Sequence, residues 1–83
     1  MLAMDMNDPR LVRALTIEIT RIIEGTGGKV VEAIGYELAK GGGWSVILDS
    51  EYAALKVYYT YRRQKVIHLS KGPLGWVVSV RPS

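Results

Sequence analysis

Between Leu11 and Ile23, apolar side chains recur at intervals of three and four. Leu11, Val12, Leu15, Ile19, Ile22 and Ile23 fall on one side, with Arg10, Arg13, Thr16, Thr20, Arg21 and Glu24 on the other. That spacing predicts an amphipathic helix. Residues 15–20 also alternate with a period of two, but the longer window fits the helical period better. Asn7-Asp8-Pro9 supplies a helix start: Asp8 can cap free backbone N–H groups, and Pro9 suits the first helical position. Gly25-Thr26-Gly27-Gly28 then breaks the pattern, because three glycines inside a helix cost roughly 3 kcal/mol relative to alanine. A helical pattern resumes at Lys29, with Val30, Val31, Ala33, Ile34 and Leu38 to one side, and stops at Gly41-Gly42-Gly43. Residues 8–40 are thus predicted helical, as one helix or two, after a flexible start over residues 1–7.

From Trp44 the pattern shortens. Residues 44–48, 54–61, 65–70 and 76–81 are rich in strand formers. They are separated by Asp49-Ser50-Glu51, Arg62-Arg63-Gln64 and Lys71-Gly72-Pro73-Leu74-Gly75. Short strands joined by short turns predict antiparallel neighbours. The fold class expected is α+β: N-terminal helical segments packed on a four-stranded antiparallel β-meander over residues 44–81. Alternation divides the strands into two faces. Leu55, Val57, Tyr59, Ile67, Leu69, Trp76, Val78 and Val80 form the apolar one. Lys56, Tyr58, Thr60, Val66, His68, Ser70, Val77, Ser79 and Arg81 form the mixed one.

With 83 residues the chain has room for one domain. So short a chain buries roughly 60–65% of its unfolded surface, so self-association or a partner is an economical source of further buried area. Cysteine is absent and His68 is the only histidine, which excludes disulfides, cysteine-based zinc sites and multi-histidine metal sites. No apolar run reaches the roughly 18 residues that a bilayer span requires. Met1 to Arg10 has neither a basic nor an apolar leader region, so a cytoplasmic location is expected. One asparagine, one glutamine and no cysteine suit a thermophile.

The net charge of +3 is unevenly spread. Residues 1–43 hold five basic and six acidic side chains, whereas residues 44–83 hold six basic and two acidic, Asp49 and Glu51. Such asymmetry fits either an anionic partner or a surface kept soluble by charge.

Candidate chemistry is sparse. Gly25 to Lys29 is glycine-rich before a lysine, but Ile23 and Val30 stand where a phosphate loop needs glycine and a hydroxyl, so the segment reads as an inter-helix turn. Asp49 and Glu51 near Lys56 lack the spacing of a metal-dependent nuclease, with Ala54 two residues before the lysine. His68, Ser45, Ser70 and Asp49 lie at no recognised triad spacing. No enzyme, cofactor or metal site is therefore expected.

The basic and aromatic set gives the sharpest expectation. Lys56, Tyr58, His68 and Arg81 on the mixed sheet face, with Arg62, Arg63 and Lys65 at one hairpin, could neutralise phosphates and stack a base. The sequence thus suggests a small non-catalytic accessory protein binding DNA or RNA, as a homodimer. The alternative is a protein–protein interaction subunit of a larger complex. Its contact would use an exposed helix edge or a sheet edge, not the basic hairpin. Beside the nucleic-acid reading of the mixed face, the tyrosines would be cross-strand packing residues, the charged hairpin would protect an edge, or the face would pair with another subunit, as Val66 and Val77 favour.

Overall fold

The computed structural model describes residues 9–35, 43–63 and 66–81. Two helices and a four-stranded antiparallel sheet make an α+β fold: α1 (Pro9–Ile22), β1 (Val30–Gly35), β2 (Trp44–Leu48), α2 (Glu51–Tyr61), β3 (Val66–Gly72) and β4 (Gly75–Arg81). The expected flexible start, residues 1–7, lies outside the described residues. Among the described residues no helix is long and apolar enough to cross a membrane.

The first helix follows the predicted stripe. Ile19 and Ile23 are buried, and Val12, Leu15 and Ile22 pack beside them. Gly25, at φ +85°, turns the chain out of the helix. Thr26 secures the turn: its hydroxyl donates to the Ile23 carbonyl at 2.6 Å and accepts from the Gly28 N–H at 3.1 Å.

Residues 30–35 form a strand where the spacing suggested helix. Val30, Val31 and Ile34 are β-branched, and glycines at 25, 27, 28 and 35 leave too short a run to sustain a helix. Ala33 and Gly35 face the core and are small because α1 crosses close above them: a Cβ on Gly35 would lie 3.1 Å from that of Leu11. Residues 36–40 of the expected helical segment lie outside the described residues.

Residues 51–61 form a helix where the tyrosine-rich run suggested a strand. Ser50 is the N-cap, its hydroxyl accepting from the Ala53 N–H at 3.3 Å, and Glu51 places negative charge in the first turn. Ala53, Ala54 and Val57 are buried and Tyr61 packs against the same cluster, which is the spacing of one helical side. Alanines at 53 and 54 with burial at helical spacing outweigh the strand preference of the tyrosines.

The sheet order is β1-β2-β4-β3, with every pair antiparallel, rather than a meander in chain order. The helix at 51–61 accounts for the difference. A helix is about 10 Å across, close to two strand spacings, so the chain leaving α2 enters the sheet two positions from β2. The tight β3–β4 hairpin then fills the gap with β4. Both helices pack on one sheet face, α1 on β1 and α2 on β2, β3 and β4. Val46, Leu48 and Val78 form the floor of the core beneath them. Strand alternation in β3 and β4 follows the sequence reading: Ile67, Leu69, Trp76, Val78 and Val80 point inward.

The two ends of this arrangement are tied together. The Lys29 N–H donates to Asp49 Oδ1 at 2.7 Å and the Asp49 N–H donates to the Lys29 carbonyl at 3.2 Å, which joins the turn before β1 to the turn before α2. Gly28 lies against α2, where a Cβ would fall 2.6 Å from the Ala53 Cβ and 3.0 Å from that of Ser50. Ala53 is fully buried and has no flexible end to give way. Gly28→Ala is therefore expected to destabilise the fold by about 1–3 kcal/mol, read as a lower urea midpoint with an unchanged slope.

Candidate nucleic-acid interface

The residues singled out by sequence divide between two surfaces. Lys56 and Tyr58 lie on α2, not on the sheet, and Arg62 is that helix's C-cap with Arg63 after it. Only His68 on β3 and Arg81 on β4 belong to the sheet. Lys65 lies outside the described residues. The correction has one cause: a helical period places side chains every 100°, so residues assigned to one face of a strand are dispersed around α2.

On α2, Lys56 and Thr60 meet solvent as strand alternation selected, but the tyrosines do not follow it. Tyr58 is half-buried, whereas Tyr59, assigned by sequence to the apolar side, is 57% exposed. Tyr52, which the sequence reading did not use, is 66% exposed. Tyr52, Lys56 and Tyr59 are spaced by four and three, so they form one stripe along the solvent side of the helix. At its end the Arg62 guanidinium lies 5.0 Å from the centre of the Tyr59 ring, and the Tyr58 ring meets Tyr59 edge-on at 5.6 Å. Those contacts hold one exposed aromatic ring beside one planar cation. Counting the helical period from Tyr52 would have found the stripe.

Arg81 joins this end of the molecule through the topology. It pairs with Val66, the first residue of β3, which follows Arg63 after only two residues.

The other sheet face, which no helix among the described residues covers, is different in character. Register places Ile34, Ser45, Ser79 and His68 in one row across the four strands, and Glu32, Ile47, Val77 and Ser70 in the next. Arg81 and Val66 lie one row beyond. Ser45 and Ser79 join hydroxyl to hydroxyl at 2.9 Å. Apart from the His68 imidazole, these rows contain no aromatic ring, so among the described residues the face offers no platform for stacking bases. The expectation that it carries the tyrosine is overturned by the helical course of residues 51–61.

The other candidates take structural positions. Asp49 accepts the Lys29 N–H, Glu51 opens α2, and the Gly25–Lys29 segment leads into a strand, not into a helix N-terminus. Two shallow grooves run along α1, and neither is lined by His68, Asp49 or Glu51. One of these, about 670 Å³, lies between the helices and is lined by Ala14, Ile17, Glu18, Arg21, Ile22, Thr60 and Tyr61. Within it the Tyr61 hydroxyl donates to Glu18 Oε2, while the Tyr61 ring packs edge-on against Trp44 at 5.1 Å.

Partial burial raises the Tyr61 phenol well above the ordinary tyrosine range, helped by the hydrogen bond to Glu18 and by that residue's negative charge. The folded state thus holds the Tyr61 proton more tightly than the unfolded chain does. The resulting stability is intact below about pH 10, the unfolded tyrosine value, and declines as pH rises above it. Tyr61→Phe is expected to flatten the alkaline fall in melting temperature, measured by circular dichroism in buffers spanning that value.

No protein-family model matches the chain, and no curated protein or solved structure matches it either.

Proposed function

We propose that this chain is a small non-catalytic accessory protein that binds single-stranded DNA or RNA through the solvent side of α2 and the basic segment after it. One observation carries the reading: Lys56, Tyr59 and Arg62 meet solvent on one side of a helix, with the Arg62 guanidinium held over the Tyr59 ring. An exposed ring accepts a base face, and adjacent cations neutralise the flanking phosphates. The charge distribution agrees, since residues 52–83 contain six basic side chains and no acidic one. Arg63 extends the cationic end, and Lys65 follows it in sequence. His68 and Arg81 stand apart, on the sheet face turned away from the helices. A cytoplasmic location, where nucleic acid is at hand, fits the same reading.

The test is the anisotropy of a labelled single-stranded oligonucleotide of about 12 nucleotides, titrated at about 50 and about 200 mM salt. Saturable binding that weakens steeply with salt is expected. Absence of binding at the lower salt would overturn the proposal.

A second reading, a protein–protein interaction subunit of a larger complex, is favoured by the uncovered sheet face with Ile47 and Val77 at its centre. It predicts that replacing Arg62 and Arg63 by alanine leaves assembly intact.

A further inference from the structure

The uncovered face of the sheet has the properties of a self-complementary contact, and we infer that it is covered by a second copy of this chain. Its centre is the block formed by Ser45, Ser79, Ile47 and Val77 on the two middle strands. That block is uncharged, and its serines already share a hydrogen bond at 2.9 Å, so burying it strands little polar capacity. Ile34 on β1 and the 46% exposed Val66 on β3 extend the apolar surface to both edges.

The charges lie around this centre in a pattern suited to a two-fold contact. Such a contact sets residue i of one copy against residue j of the other, and j against i, so the two must lie at similar distances from the axis. Glu32 is level with Ile47 on β1, and Arg81 lies four residues beyond Val77 on β4. Strand spacing and rise put them about 8 and about 10 Å from the centre, on either side of it, and about 16 Å from each other. A second copy turned about an in-plane two-fold axis bisecting those directions brings each Glu32 to the partner's Arg81. The strands of the two sheets then cross at about 100°, close to the orthogonal packing that sheet faces adopt. The assembly has four layers, with the sheets inside and both α2 stripes on the outer surfaces.

The face measures about 19 by 23 Å, roughly 440 Å² per copy and below the range of stable interfaces, so the dimer is weak and depends on concentration. It stands independently of nucleic-acid binding.

Sedimentation equilibrium from about 1 μM to about 1 mM tests it. The wild-type chain is expected to pass from monomer to dimer across that range. Val77→Lys, which sets a charge in the centre, should weaken association by about 100-fold or more. Glu32→Arg and Arg81→Glu should each weaken it by about tenfold, and the double exchange should restore it. The charge exchanges keep the test decisive should Val77→Lys fail to fold, and their intramolecular separation makes restoration a property of the pair of chains. A wild-type monomer throughout, or a double exchange as weak as the singles, would overturn the inference.

Discussion

Replacing Gly75 by alanine is expected to destabilise the fold by about 3 kcal/mol and to lower the melting temperature by about 15 °C. Two independent costs meet at this position. Its φ of +147° lies outside the range that side-chain-bearing residues adopt readily. An added Cβ would also fall 2.4 Å from the Leu48 carbonyl oxygen, a backbone atom of the neighbouring strand, and 3.3 Å from Ile47 Cγ2. Neither strand can yield without loss, because Leu48 is fully buried and pairs with Trp76 directly after Gly75. Gly25 is the control. It has φ +85° but nothing within 4 Å of a Cβ, so Gly25→Ala meets only the backbone cost of about 1 kcal/mol. Thermal unfolding of both variants by circular dichroism separates the two contributions. A similar, small drop in each would mean that β2 and β4 do not approach as closely as described.

Replacing Lys56, Arg62 and Arg63 together by alanine is expected to reduce affinity for single-stranded nucleic acid by about 100-fold at low salt. Each lost phosphate contact removes about 0.7 from the slope of log affinity against log salt, so the slope should become shallower by about 2. All three side chains are exposed, and Lys56 and Arg63 lie outside the core, so the variant should keep its fold. Tyr59→Ala acts differently: losing one stacked base costs about 1–3 kcal/mol while leaving the salt slope nearly unchanged. The two variants therefore separate charge neutralisation from stacking within one stripe. Loss of affinity with an unchanged slope in the triple variant would place the phosphate contacts elsewhere. Arg81, on β4 at the same end of the molecule, would then be the next position to test.

The layered α+β plan, α1 and the β3–β4 hairpin were legible because each rests on a pattern longer than its ambiguities. Leu11 to Ile23 repeats the helical spacing for more than three turns, and Gly72-Pro73-Leu74-Gly75 has the turn chemistry of a tight hairpin. β1 and α2 were misread because both are short and carry residues whose local preference is ambiguous. Val30, Val31, Ala33 and Ile34 fit one helical side, and nothing within residues 30–35 announces that β2 will pair alongside. Val57, Tyr58, Tyr59 and Tyr61 look like a strand, and only Ser50, Glu51 and the paired alanines signal a helix. That single exchange moved the candidate site. Read as a strand, residues 54–61 present Tyr58 with Lys56; as a helix, they present Tyr59 with Lys56, and Tyr52 one stripe position earlier. The close approach of Gly28 to Ala53 and the strand order lay beyond the sequence, because both depend on how separate elements pack.

The central claim is that the solvent side of α2 receives nucleic acid. Amide chemical shifts, followed by NMR during titration with a single-stranded oligonucleotide of about eight nucleotides, test it most directly. The largest shifts should fall between Tyr52 and Arg63, with Ile47, Val77 and Ser79 on the sheet face unmoved by the added strand. Shifts concentrated on the sheet face with α2 unmoved would contradict the account.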